Sequence, residues 1–263
     1  MPRIIAPNLT VASSPGSQVM PAGKGIWHLE IPAGAGGKYR LAQLDDYTGI
    51  PRRQFPWRPP LTFSLRARAS AEGLPGTWGF GLWNDPFSLS LGFGGGTRRF
   101  PALPNTAWFF HASPPNYLSL RDDLPAQAFL AATFRSATLP APLLAALSPG
   151  VVLFTLPPAA RLFRRLARRF IRQDAVLVGG SGEYTPADWH AYQINWSQDS
   201  VIFSVDGASI LNTPVSPSGP LALQIWIDNQ YAALPPTGRL SFGALPNPQP
   251  AWIEISDLSL ALP

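Results

Sequence analysis

The stretch Trp189 to Gly207, WHAYQINWSQDSVIFSVDG, constrains the fold more than any other. Apolar and polar residues alternate through Trp189, Tyr192, Ile194 and Trp196, and again through Val201, Phe203 and Val205. Ser197, Gln198, Asp199 and Ser200 interrupt the pattern, and Asp206-Gly207 closes it. Successive side chains of a strand point to opposite faces, so this period predicts two strands, each with one buried face, around a short turn. Asp-Gly then signals a hairpin turn, whose central residues must accept positive φ.

The rest of the chain repeats this theme. Strands are predicted at 26–31, 38–44, 61–69, 77–83, 87–91, 107–111, 117–120, 129–134, 175–178, 209–211, 220–227 and 252–261. Residues 1–25 read as a loosely attached lead-in with one short β-like run at 9–12. The 31 Pro and 23 Gly fall between these runs, as turns in a β protein require, and a hydrophobic content of 46% argues against disorder. The 263 residues suit one large sandwich, with no internal repeat and no domain boundary. The expected fold is therefore all-β, a two-sheet sandwich formed by residues 1–263, with a helical insertion at 137–175.

That insertion breaks the pattern. Pro157-Pro158 suits a helix start, and Ala159, Leu162, Phe163, Leu166, Ala167, Phe170 and Ile171 recur at helical spacing. Arg161, Arg164, Arg165, Arg168, Arg169 and Arg172 are expected on the opposite face. The chain has 20 Lys+Arg and 15 Asp+Glu; setting aside these six arginines and Asp174 leaves 14 of each. The net charge of +5 thus belongs to this segment. One reading is an interfacial helix on an anionic membrane surface, or one docked to an acidic protein partner. The other packs its apolar face on the chain's own sandwich. Nucleic acid is disfavoured, because no exposed aromatics interleave with the basic residues. The apolar run before the helix, 141–154, is too short to span a bilayer and is broken by Pro149-Gly150.

The chain has no Cys, which excludes disulfides and thiolate metal sites, and His28, His111 and His190 lack metal-ligand spacing. No metal and no cofactor are expected. The N-terminal residues lack the continuous apolar core of a secretory signal, so a cytoplasmic protein is expected, with the inner membrane surface as the place where the helix would hold it.

Three stretches, Leu61 to Trp83, Trp189 to Gly207 and Trp252 to Ala261, together resemble glycoside hydrolase family 16 of the concanavalin A-like lectin/glucanase superfamily. The resemblance covers at most half the chain. It implies a jelly roll whose concave face binds a chain-like glycan. In active members a strand carries Glu-x-Asp-x-x-Glu or Glu-x-Asp-x-Glu, and period two puts its carboxylates on one face as nucleophile and acid/base. Neither pattern occurs here, and the stretch expected to correspond, Asn84 to Gly92, holds only Asp85.

Candidate site residues follow. Trp83 and Asn84, and the run Asp228, Asn229, Gln230 and Tyr231, combine aromatics with polar groups at strand ends, as sugar binding needs; ordinary turn chemistry is the alternative. Trp57 sits in a proline-rich loop that packs on the body or lines a site. Asp85 and His111 are the candidate acid and base, the alternative for His111 being a bond to backbone. Arg52, Arg53 and Arg58 could meet an anionic ligand or pair with Asp45 and Asp46. The leading functional expectation is a carbohydrate- or glycolipid-binding protein without the hydrolytic pair. The rivals are an enzyme using other groups on the same cleft and a structural subunit docked through the helix.

Overall fold

The computed structural model describes residues 3–5, 7–86, 102–139, 156–179 and 184–262, with the single positions 142 and 144. Strands are numbered in chain order. One sheet runs β13 (Ala208–Thr213), β12 (Val201–Val205), β11 (His190–Trp196), β6 (Leu61–Ala69), β17 (Ala251–Leu262), β4 (Ile26–Ile31), β3 (Gln18–Gly23), with β1 (Arg3–Ile5) also on β17. The second runs β10 (Ile171–Leu177), β9 (Ala128–Ser136), β8 (Thr106–Ala112), β7 (Thr77–Trp83), β14 (Ala222–Asp228), β5 (Leu41–Asp45), β2 (Thr10–Ser13). All pairings within them are antiparallel.

The alternating sequence sets the first sheet. Along β6, β11 and β12 buried residues alternate with more exposed ones, so one face packs and the other meets solvent. The turn after β12 takes φ 49° at Asp206 and 80° at Gly207, as the Asp-Gly signal predicts. Aromatic rings lock the two sheets together. Tyr192 lies 4.9 Å from Phe80 and 5.0 Å from Phe109 between ring centroids, and Phe203 meets Phe109 edge-on at 5.4 Å.

The second sheet differs. Every residue of β7, β8 and β14 is buried, so this sheet is covered on both faces. Trp78, Phe80, Phe109 and Ile225 face the first sheet, while Trp83, Trp108, Phe110 and Trp226 belong to a separate apolar cluster on the outer face. Helix α1 (Pro157–Phe170) joins that outer cluster through Phe163 and Ala167.

Several details depart from the sequence reading. The lead-in supplies edge strands to both sheets, β2 and β3. Residues 117–120 form no strand; only Tyr117 bridges, to Ala233. β10 starts at Ile171, straight from the helix, because Ile171 pairs with Ser136 of β9. A small ribbon, β15 (Gln230–Ala233) with β16 (Ser241–Ala244), was not anticipated. The strand expected at 87–91 and nearly all of the apolar run 141–154 lie outside the described residues.

The helix corrects one expectation outright. Its buried residues are Ala160, Arg164 and Ala167, not an all-apolar stripe, and Leu162, Leu166 and Phe170 are exposed. The Arg164 guanidinium donates to the carbonyls of Ser119 (2.7 Å) and Leu120 (3.1 Å), to that of Leu234, and to Asp122 Oδ1. It also sits 5.5 Å from the centre of the Tyr117 ring. Arg168 donates to Asp122 Oδ2 at 2.7 Å. Inward carbonyls need a donor, and a planar guanidinium serves several at once. Two of the six arginines therefore bind the chain itself. Arg164→Met is expected to lower stability to chemical denaturation by about 3 kcal/mol, because the Ser119 and Leu234 carbonyls lose their donor and the Leu120 carbonyl keeps only Arg168, whereas Arg165→Met stays within about 0.5 kcal/mol. Equal effects of the two would contradict this assignment.

Candidate functional site on the outer face of the second sheet

Gly79 and Gly81 lie on the outer side of β7, between two strands that carry indoles. Gly81 pairs with Gln224 of β14 and Trp108 of β8; Gly79 pairs with Trp226 and Phe110. A Cβ at Gly79 would meet the Phe109 carbonyl oxygen at 2.3 Å and Trp226 at 3.0 Å; one at Gly81 would meet Trp108 Cα at 2.6 Å. Only glycine fits at either position, and the two together lower the floor of this face. Around it Trp108 stacks on Phe110 at 5.2 Å and lies 5.6 Å from Trp226 and 6.3 Å from Trp83.

A polar network crosses the same face. Gln224 Nε2 donates to Gln43 Oε1 at 2.9 Å, and Gln43 Nε2 donates to Asp45 Oδ2 at 2.8 Å and to the Tyr47 hydroxyl at 3.1 Å. At the other end Trp226 Nε1 donates to Thr77 Oγ1, which donates to Asp228 Oδ1. Against this background, four buried polar atoms of the face have no partner: Trp83 Nε1, Trp108 Nε1, Thr106 Oγ1 and Gln224 Oε1. All four belong to residues beside Gly81 or one step along the pairing from it. Leaving a buried polar atom unpaired costs about 1–3 kcal/mol, so such atoms are rare, and here four of them cluster.

The predicted residues divide between this face and other places. Trp83 is on it. Asp228 is on it too, at the far end. Burial pushes the Asp228 carboxyl up to about 7, against the hydrogen bonds from Thr77, the Gln230 amide and Tyr39. Asn84 holds the loop, donating to the Leu103 carbonyl and accepting from the Asn105 amide. Asn229 bonds Arg40, Lys38 and Leu245. Gln230 and Tyr231 belong to the ribbon beside the sandwich. Asn84 and Asn229 do turn chemistry.

Trp57 is a core residue between the sheets, its Nε1 donating to Asp46 Oδ2. Asp85 is buried beyond the end of β7, with φ 47° and its carbonyl bonded by Arg52. His111 points to the opposite side of β8 from Trp108 and Phe110. It stacks on Trp78 at 5.6 Å and bonds the Leu74 carbonyl at 3.2 Å, and burial lowers its pKa to about 4. His111 thus lies on the inner side of the sheet and does not face outward with Trp108 and Phe110 as an acid or base. Neither do Asp45 and Asp46 pair with the loop arginines. Asp45 accepts from Gln43, Thr48 and the Tyr47 amide, and Asp46 from Trp57 and the Leu223 amide.

The strand that follows β7 and pairs with it is β8. Its outer-face positions are Thr106, Trp108, Phe110 and Ala112. Asp45 and Asp228, the carboxylates on this face, flank β14 and β5 four residues apart in register, since Asp228 pairs with Leu41. That is about 13 Å, beyond the roughly 5–9.5 Å that a glycosidase carboxyl pair spans. No group of three or more potential metal ligands exists among the described residues.

The raised Asp228 sets a pH dependence. A carboxyl whose pKa is higher folded than unfolded stabilises most below the unfolded pKa, near 4, and the contribution is lost as pH rises through about 7. The loss amounts to about 3–4 kcal/mol. Asp46, pushed to about 6 by burial, adds to the same fall. The thermal midpoint of Asp228→Asn is therefore expected to drop less between pH 4 and pH 8 than that of the parent; parallel profiles would contradict this.

The sequence matches no protein-family model and no curated protein. Among solved structures the chain is similar to a β-glucanase of Bacillus licheniformis, with 9% identity, 97% of this chain and 92% of that chain covered, and a TM-score of 0.52. It is also similar to a pseudo β-1,3-glucanase of Mycobacterium tuberculosis, with 12% identity, coverage of 92% and 76%, and a TM-score of 0.46. A κ-carrageenase of Zobellia galactanivorans gives 12% identity, coverage of 91% and 79%, and a TM-score of 0.46. The fold assignment rests on the first. The chain is a two-sheet jelly roll with a β-glucanase-like fold.

Proposed function

We propose that this protein is a non-classical relative of the glucanases that binds a glycan, or the sugar head of a glycolipid, on the outer face of the second sheet, without glycosidase chemistry. The observation that carries the reading is the cluster of unpaired atoms around Gly81. Two of them, the indole N–H groups, only donate; Gln224 Oε1 only accepts; Thr106 Oγ1 does either. Hydroxyl groups both donate and accept, so one polyhydroxylated ring can meet all three kinds. The aromatic walls suit its C–H faces, as Trp83, Trp108 and Trp226 provide.

The carboxylates weigh against hydrolysis. The β8 positions that face outward carry aromatic and small residues, and Asp45 and Asp228 are too far apart for a pair. Of the stretches outside the described residues, 87–101 and 140–155 contain no Asp or Glu, and 180–183 contains Glu183 alone. Because the face is buried, a sugar must displace part of what covers it, which favours a ligand with an apolar part as well as hydroxyls.

Titration calorimetry against a panel of β-glucan oligosaccharides and glycolipid head groups tests this. Binding without release of reducing ends is expected, weakened about tenfold or more by Trp108→Ala or Gln224→Leu. Cleavage of a glycan, or no binding to any member of the panel, would overturn the reading.

A further inference from the structure

Helix α1 turns an unusual half of itself to solvent. At about 100° per residue, Leu162, Leu166 and Phe170 form one stripe along the helix. Arg161, Arg165 and Arg169 form the next stripe, directly beside it. Together they span the half opposite Ala160, Arg164 and Ala167, which face the sandwich. Exposure is 55% for Leu162, 43% for Leu166 and 45% for Phe170, and Leu156, just before the helix, is 56% exposed. A helix whose only task was to cover the sheet would turn these four inward. Arg164 prevents it, because its bonds to the Ser119, Leu120 and Leu234 carbonyls fix the helix's rotation.

The arginines of this half are not committed elsewhere. Arg164 and Arg168 share Asp122, while Arg161, Arg165 and Arg169 are exposed and have no ion pair among the described residues. With the rest of the chain neutral, these three arginines leave the local charge uncompensated. An apolar stripe beside a row of unpaired guanidiniums needs a surface that is apolar beneath and anionic above. A bilayer containing anionic lipid has that order, acyl chains under phosphates. No helix among the described residues is long and apolar enough to cross a membrane, so this is attachment in the plane.

We propose that the outward half of α1 docks the protein on an anionic lipid surface, with Leu162, Leu166 and Phe170 entering the acyl boundary and Arg161, Arg165 and Arg169 meeting phosphates. The docking does not depend on the glycan reading, since it uses the opposite side of the helix from the sheet.

Co-sedimentation with phosphatidylcholine vesicles, with and without phosphatidylglycerol, tests it on the full chain. The parent is expected to bind the anionic vesicles and to release with salt. Arg161→Gln, Arg165→Gln and Arg169→Gln combined should weaken binding on the order of 100-fold. Leu162→Ser, Leu166→Ser and Phe170→Ser combined should abolish it, with Arg164 and Arg168 kept so that the helix stays seated. Leu166→Trp gives a readout free of any folding defect: its emission should shift to the blue on anionic vesicles. Equal binding to neutral vesicles, no binding to either, or an unshifted Leu166→Trp would overturn the proposal. So would a self-association lost in the serine variant without vesicle binding, which would make the face a contact between copies of the chain.

Discussion

Burial of the second sheet on both faces governs the rest of this structure. A sheet covered on one side can alternate apolar with polar residues; one covered on both must fill each face separately. Here the inner face is filled by Trp78, Phe80, Phe109 and the aliphatic side of β14, against Tyr192 and Phe203 of the first sheet. The outer face is filled by indoles on β8 and β14, and it accepts them because Gly79 and Gly81 vacate the strand between. The pairing of two glycines with flanking tryptophans is a single packing device spread over three strands.

That device leaves something over. Large aromatics bring N–H groups into a dry place, and a packed face ordinarily satisfies them. Trp226 is satisfied through Thr77 and Asp228, whereas Trp83 and Trp108 are not, and Thr106 and Gln224 beside them are equally unpaired. A region built only for stability would hold apolar side chains of the same shape. Four of the six such atoms among the described residues stand beside Gly81; Trp78 Nε1 on the inner face and Asn247 Oδ1 lie elsewhere.

How much of this could be read beforehand differs by element. The hairpin at β11 and β12, the long alternating β6 and the helix start at Pro157-Pro158 were legible, because period and punctuation act locally. The site was not. TWGFGLW reads as a buried run, and nothing within it says that Gly81 will stand between Gln224 and Trp108, residues 143 positions up the chain and 27 positions on. Turn-forming Asn84 and Asn229 looked like sugar ligands because the same amide groups serve loops and glycans alike. The helix was legible in part. Its spacing grouped Leu162, Leu166 and Phe170 but left open whether they face the sandwich or a surface outside it; the carbonyls of Ser119, Leu120 and Leu234 draw Arg164 inward and leave these three exposed. Periodicity describes a helix's faces; the partner decides which face turns in.

The central claim is that the unpaired groups around Gly81 are a hydroxyl-binding site rather than a tolerated packing defect. The most direct test is to follow the indole N–H resonances of Trp83 and Trp108 by nitrogen-15 NMR, assigned by Trp→Phe substitution, during titration with a bound oligosaccharide. The account predicts that both move downfield together and saturate with the binding isotherm, while Trp226, already bonded to Thr77, shifts little. Unmoved Trp83 and Trp108 signals at saturating ligand would contradict it.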